Sequence, residues 1–280
     1  MHPIIKSLTP AQVGLVEQPL GQKIFLEGPT GSGKTTAAIA RLLILLENGI
    51  PGGSILLVLP QRTLAIPYMD ALHQPGLAAG GMVEVLTIGG LAQRMVDLFW
   101  PLVGEDAGFA HPDRPPTFLT LETAQYYMAH LVRPLREEGL FESVSIDPNR
   151  LYSQIIDNLN KAAVVGFDHT QIAEKLITAW GGKDPAQVHV YKDAQTCANA
   201  FRSYCLEHNL LDFSLQLEVF RKHLWGNPLV QEMLLRRYRH LVVDNLEEDT
   251  PVAHDILSDW LPEFESALLI FDRDAGYRRF

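Results

Sequence analysis

The sequence predicts an α/β fold whose parallel sheet is interrupted by an inserted, all-helical block. Three observations carry this. Strand and helix patterns alternate over the first hundred residues, everything from 119 to about 235 reads helical, and apolar strand signals return afterwards in HLVVD and ALLIFD.

Taken in order, a strand at 23–27 leads into an Ala/Leu-rich helix over 34–48, and Pro51-Gly52-Gly53 turns the chain. The run ILLVL at 55–59 is apolar throughout, as a strand buried on both faces requires, and a helix follows it to about His73. A third strand at 82–87 and a helix to about Trp100 complete a βαβαβα opening, which implies parallel pairing. Between 101 and 116, Pro101, Pro112, Pro115 and Pro116 break any period and mark a linker. In the helical block Asp147-Pro148 and His169-Thr170 read as helix starts and Gly181-Gly182 as a break, with no strand signal. Strands at 240–244 and 267–272 flank a helix over about 250–261. The implied division is a first α/β part over 1–115, a helical insert over 116–210 and a second α/β part over 211–280.

Composition narrows the function classes. With 280 residues, 47% of them hydrophobic and 20% charged, the chain has apolar surface for one large core or two modest ones, which excludes disorder, collagen and coiled coil. Lys plus Arg number 23 against 33 Asp plus Glu, a net charge of −10, the wrong overall sign for a protein living on nucleic acid. Phosphate contacts need only a local stripe of cations, so a nucleic-acid partner stays open. The two cysteines, Cys197 and Cys205, lie too far apart along a helix rising about 1.5 Å per residue to bond to each other, and the cytoplasm is the expected setting. No basic-then-apolar leader opens the chain, and its most apolar stretch is short and holds Arg41, so no membrane partner is expected.

Gly28-Pro-Thr-Gly-Ser-Gly33-Lys34-Thr35 matches the phosphate-loop pattern, directly after a strand and directly before a helix. Glycines let successive backbone N–H groups curl round phosphate oxygens, and the helix N-terminus turns its partial positive charge toward the anion. Lys34 is expected on the β- and γ-phosphates and Thr35 on Mg2+. The nucleotide-binding set is Gly28, Pro29, Thr30, Gly31, Ser32, Gly33, Lys34, Thr35 and Thr36. Such a site also needs a carboxylate at a neighbouring strand end, and Asp244 of HLVVD supplies one, although a capping aspartate reads the same way. Among the residues that follow, Glu247 and Glu248 can accept a proton from an attacking water and Asn245 cannot. An acidic first turn complementing a helix dipole is the equal alternative.

The order of these motifs resembles the N-terminal, ATP-binding part of UvrD/Rep-type superfamily-one DNA helicases, including the RecB- and AddB-related branches. Leu8-Thr-Pro-Ala-Gln12 resembles the Q motif, and the resemblance implies that Gln12 reads adenine. Leu59-Pro-Gln-Arg-Thr-Leu-Ala65 with Met69, and Thr87-Ile-Gly-Gly-Leu-Ala92, resemble two segments the family places on single-stranded DNA. Leu211-Asp-Phe-Ser-Leu215 is similar to the element leading into motif II, and 244–250 with Pro251 resembles motif II itself. There the family's glutamate is Asn245, and the stretch is one residue longer. Residues 271–280 resemble motif III, with Ala275 where the family has its γ-phosphate-sensing glutamine.

The resemblance implies a RecA-like P-loop domain with an inserted helical subdomain on DNA, ATP and Mg2+ as cofactors, and single-stranded DNA as partner. Tyr126, Tyr127 and Trp180 of the insert are expected in its core rather than stacked on bases, and the cluster Arg236, Arg237, Arg239 on phosphate backbone or as a solvated helix end. Because the sequence stops after the motif III-like segment, the second RecA-like domain is expected C-terminal to Phe280, or its role in a partner nuclease or helicase subunit. The expected function is ATP-driven translocation and unwinding in DNA repair or recombination. The alternative is a non-hydrolysing, AddB-type scaffold subunit, which Asn245 and Ala275 favour.

Overall fold

The computed structural model describes residues 3–73, 82–182 and 184–275. In chain order its elements are α1 (Pro3–Lys6), α2 (Pro10–Val16), β1 (Lys23–Gly28), α3 (Lys34–Glu47), β2 (Ile55–Val58), α4 (Ile66–Leu72), β3 (Glu84–Leu86), α5 (Ile88–Leu98), α6 (Trp100–Val103) and β4 (Thr117–Phe118). There follow α7 (Leu121–Glu137), α8 (Pro148–Val165), α9 (Ile172–Trp180), α10 (Pro185–Glu207), β5 (Leu210–Leu211), α11 (Phe213–Val219), α12 (Pro228–Arg237), β6 (His240–Val243), α13 (Pro251–Trp260) and β7 (Ser266–Asp272). They form two compact units, one running through Leu91 and resuming at Pro228, the other spanning Ala92–Asn227.

The first unit is built on a five-stranded, all-parallel sheet in the order β1-β7-β6-β2-β3. Its central strands β2 and β6 are buried at every position, which is why their sequences are unbroken apolar runs. β1, at the edge, alternates exposed and half-buried residues. Leu42 and Leu43 of α3 pack with Ile55, Leu57, Val242 and Leu268 of the sheet. Each such fully buried aliphatic side chain contributes roughly 1.5–3 kcal/mol. The register sets Gly28 opposite Asp272 and Val58 opposite Val243, so the residues that follow these strands gather at one edge of the sheet.

The second unit is helical apart from one parallel pair of two-residue strands, β4 and β5, at positions where the sequence showed only helix or linker. Two residues are too few to display a period of two. The proline-rich segment is packed rather than a spacer. Asn209, in left-handed conformation, donates to the carbonyls of His111 and Arg114, and the indole N–H of Trp100 donates to that of Pro112 at 3.1 Å. The units therefore divide at 91/92 and 227/228, where sequence pattern placed 115/116 and 210/211. Asp147 caps α8 with Pro148 in its first turn, and Gly181, left-handed, closes α9. Tyr127 is half-buried against Tyr204, but Tyr126 and Trp180, expected in the core, are exposed at 70% and 57%. Helical spacing fixes which residues share a face and not whether that face is covered.

Candidate nucleotide site

The turn from β1 into α3 is made by two glycines with positive φ, Gly31 at 76° and Gly33 at 80°, a conformation that costs other residues strain. The result is a loop whose backbone bends round a pocket of about 240 Å3 lined by Gly31, Gly33, Lys34, Thr35, Asp244 and Glu247, together with Asn245 and Asp272. Three stretches far apart in sequence meet there because β1, β7 and β6 are neighbours and parallel.

Each sequence-predicted residue has a definite place. Lys34 folds back over the loop, its Nζ donating to the carbonyls of Pro29 at 2.6 Å and Gly28 at 3.0 Å and lying 3.3 Å from Asp272 Oδ2. Carbonyls and one carboxylate stand here in the place of the phosphate oxygens that such a loop cradles. The Thr35 hydroxyl donates to Asp244 Oδ2 at 2.8 Å, bringing the two expected metal ligands together, and the N–H of Asn245 caps Oδ1 at 2.9 Å. Thr30 donates to Asp272 Oδ1 at 3.1 Å, the N–H of Ser32 turns back to the Pro29 carbonyl at 3.3 Å, and Thr36 sits in the first turn of α3. Gln12 is the third residue of α2 and completes a capping box with Thr9. Its Oε1 accepts from the Thr9 N–H at 2.8 Å, and its Nε2 donates to the Gly33 carbonyl at 3.0 Å. The glutamine thus fastens helix α2 to the phosphate loop and keeps its amide at the loop's rim.

The segment after β6 separates Glu247 from Glu248. Asn245 takes a left-handed conformation, φ 58°, which its short amide side chain tolerates, and a single 3-10 turn over Leu246–Glu248 follows. Glu247, 5% exposed, turns into the pocket, where its Oε2 accepts from the Asp272 N–H at 2.9 Å. Its Oε1 is buried with no hydrogen-bond partner among the described residues. Glu248 faces away, toward Gln61 at 3.5 Å. A buried carboxylate oxygen without a donor is costly in an apolar setting, and at the wall of a polar pocket it is a ready acceptor for a water or ligand hydroxyl.

Two further residues belong to the site. Asp272 ends β7 opposite Gly28. Burial pushes its pKa up, but the Asp274 N–H, the Thr30 hydroxyl and the Lys34 ammonium together hold it below the usual carboxylate value. Its signal in sequence was a carboxylate closing the ALLIFD strand. Tyr68, on α4, donates its hydroxyl to Asp244 Oδ2 at 2.8 Å, and burial first, then the Asp244 charge, raise its pKa well above 10.0. Nothing in the local sequence marks it, since the contact depends on how α4 packs.

The segments resembling DNA-contacting motifs line a second pocket of about 430 Å3 beyond the ends of β2 and β3, with Gln61, Arg62, Met69, Thr87 and Gly90 among its walls. Of the arginine cluster, each member lies against a carboxylate: Arg236 at 3.5 Å from Glu232, Arg237 at 2.9 Å from Glu84, and Arg239 on Glu265. Asp212 of the Asp-Phe element belongs to the helical unit, where it caps α11. Of the motif III-like segment, Gly276 to Phe280 lie outside the described residues.

Comparison with known proteins agrees with this geometry. Residues 9–98, which hold Gln12, the phosphate loop and the walls of the second pocket, match the DEAD/DEAH box helicase family. The chain is 26% identical over 278 residues to proteins named ATP-dependent DNA helicase UvrD2 in Mycobacterium bovis and Mycobacterium tuberculosis, covering 96% of this chain. It spans 37% of the length of those curated relatives. Motif order, fold and similarity agree in one direction: the chain resembles the N-terminal, ATP-binding region of UvrD-type superfamily-one DNA helicases.

Proposed function

We propose that this region binds Mg·ATP as the nucleotide half of a motor that couples hydrolysis to translocation along single-stranded DNA, in DNA repair or recombination in the cytoplasm. Lys34 holds the β- and γ-phosphates, Thr35 and Asp244 hold Mg2+, and Gln12, at the loop's rim, takes the adenine. The second pocket, with Arg62 and Thr87 at its walls, takes the DNA strand, and the helical insert is by resemblance a DNA-contacting subdomain. The remaining helicase domains, or a partner subunit, complete the site from the other side. Bound Mg2+ neutralises charge developing on the phosphates. Glu247 orients the attacking water through its Oε1, which no donor among the described residues occupies.

The observation carrying this reading is the convergence of Lys34, Thr35, Asp244 and Glu247 on one pocket. Fluorescent N-methylanthraniloyl-ATP tests it: Lys34→Ala is expected to weaken binding by about tenfold or more, as loss of a charge-assisted contact does. Equal affinity of wild type and variant would remove Lys34 from the site.

A second reading, nucleotide binding without turnover, is favoured by Asn245 and Ala275 at two positions where the family has a glutamate and a glutamine. In the protein carrying its remaining domains, Glu247→Gln separates the two. If Glu247 serves as the base, the variant binds nucleotide normally and loses DNA-stimulated hydrolysis by about 10²-fold or more. A wild type that binds nucleotide and shows no such hydrolysis is the scaffold.

A further inference from the structure

Asp244 is held by two hydroxyls from different parts of the chain. One is Thr35 of the phosphate loop. The other is Tyr68, which is 0% exposed and donates to the same oxygen, Oδ2, at the same 2.8 Å. The ring packs in the core cluster beneath α3, so its shape is accounted for by packing. Its hydroxyl is not: a phenylalanine would fill the same space, and a buried phenol needs an acceptor only because it is there. The acceptor it has found is the carboxylate expected on the metal.

Tyr68 also joins two regions. Helix α4 follows directly from the 3-10 turn Arg62–Ala65, and Met69, its next residue, lines the second pocket with Gln61 and Arg62. A shift of that segment that carried α4 with it would move the hydroxyl that donates to Asp244. Donors around a ligating carboxylate fix its plane and tune its hold on the metal, and removing one typically costs about tenfold or more in metal affinity.

We propose that Tyr68 is a positioning residue for Asp244, through which the helix following the DNA-facing segment sets how that carboxylate meets Mg2+. This rests on the reading that Lys34, Thr35 and Asp244 hold the magnesium nucleotide. The test is Tyr68→Phe in the 280-residue chain, with N-methylanthraniloyl-ADP fluorescence followed in EDTA and across a Mg2+ titration. The expected result is unchanged affinity in EDTA and a Mg2+ half-saturation raised about tenfold. A variant with a lower melting temperature but wild-type Mg2+ half-saturation overturns the proposal, because a purely structural hydroxyl would behave so. Should Tyr68→Phe not fold, 3-fluorotyrosine placed at position 68 keeps shape and hydroxyl. Its fluorine resonance is expected to shift on Mg·ADP and not on ADP in EDTA, and no shift with Mg·ADP overturns the proposal. If wild-type binding shows no dependence on Mg2+, the underlying reading fails and this one falls with it. A Mg2+-dependent wild type with an identical Tyr68→Phe overturns this inference alone.

Discussion

At Gly33 three demands meet in one residue. Its φ of 80° suits glycine, its carbonyl accepts from Gln12, and a Cβ there would stand 2.4 Å from Gln12 Nε2. Gly33→Ala is therefore expected to cost about 1–2 kcal/mol from backbone strain and to displace the Gln12 amide as well. Thermal unfolding should register a drop of a few degrees, together with weaker nucleotide binding. The phosphate loop was legible in sequence because all its requirements are local: glycines for the turn, a lysine and a threonine at fixed offsets, a strand before and a helix after. Asp244 was legible as a strand end beside such a loop. Glu247 against Glu248 was not, since the choice depends on Asn245 turning left-handed, which one of several backbone paths allows. Tyr68 and the Lys34–Asp272 pair were beyond reach because both depend on partners about two hundred residues away in the chain.

Among the elements, α10 and α11 are fastened by one guanidinium. Arg202, 4% exposed, lies 3.2 Å from Asp212 Oδ1, donates to the Ser214 hydroxyl at 2.9 Å and lies 3.5 Å from Glu218 Oε2. Asp212 is 2% exposed and also caps α11 through the N–H groups of Ser214 and Leu215. Arg202→Ala leaves that carboxylate buried without its cation, and a loss of about 3 kcal/mol is expected. Urea unfolding of the variant measures it, and a change under about 1 kcal/mol would show that the cap alone satisfies Asp212. Sequence pattern found α11 and its aspartate but assigned the element only by resemblance. That its aspartate caps a helix end, and answers a buried arginine ten residues earlier, is a packing fact. Likewise the periodicity that located α7 could not say that Tyr126 lies outside the core, because coverage depends on which neighbours arrive.

On the scale of the whole molecule, two histidines set the response to acid. In the helical unit His169 lies among Asp168, Glu218, Arg202 and Lys222, and its pKa is lowered, first by burial and then by Arg202. In the sheet unit His240, hydrogen-bonded to Ser266 at 2.8 Å, is lowered chiefly by burial. Both bind a proton more readily unfolded, near the ordinary value of about 6.5, than folded. Their contribution to stability is thus complete above that pH and falls as pH drops through it. Asp168 is held well below the usual carboxylate range by the Thr170 N–H and hydroxyl and by Lys222, which adds a loss of the same sign below about pH 4. The melting temperature is expected to fall between pH 7.5 and 5.5, and replacing His169 and His240 with glutamine should flatten that slope. The strand order has a different consequence, for the ribosome. Among the described residues β1, the first strand of the sheet, pairs with β7, its last, and β2, which has β3 on one side, finds β6 on the other only after all of Ala92–Asn227 is made. Closing such a span carries a large entropic cost before any pairing compensates it. A growing chain therefore makes its helical unit while the phosphate loop still lacks the neighbouring strand β7, and the pocket of Lys34, Asp244 and Asp272 is assembled only after β7 has left the exit tunnel.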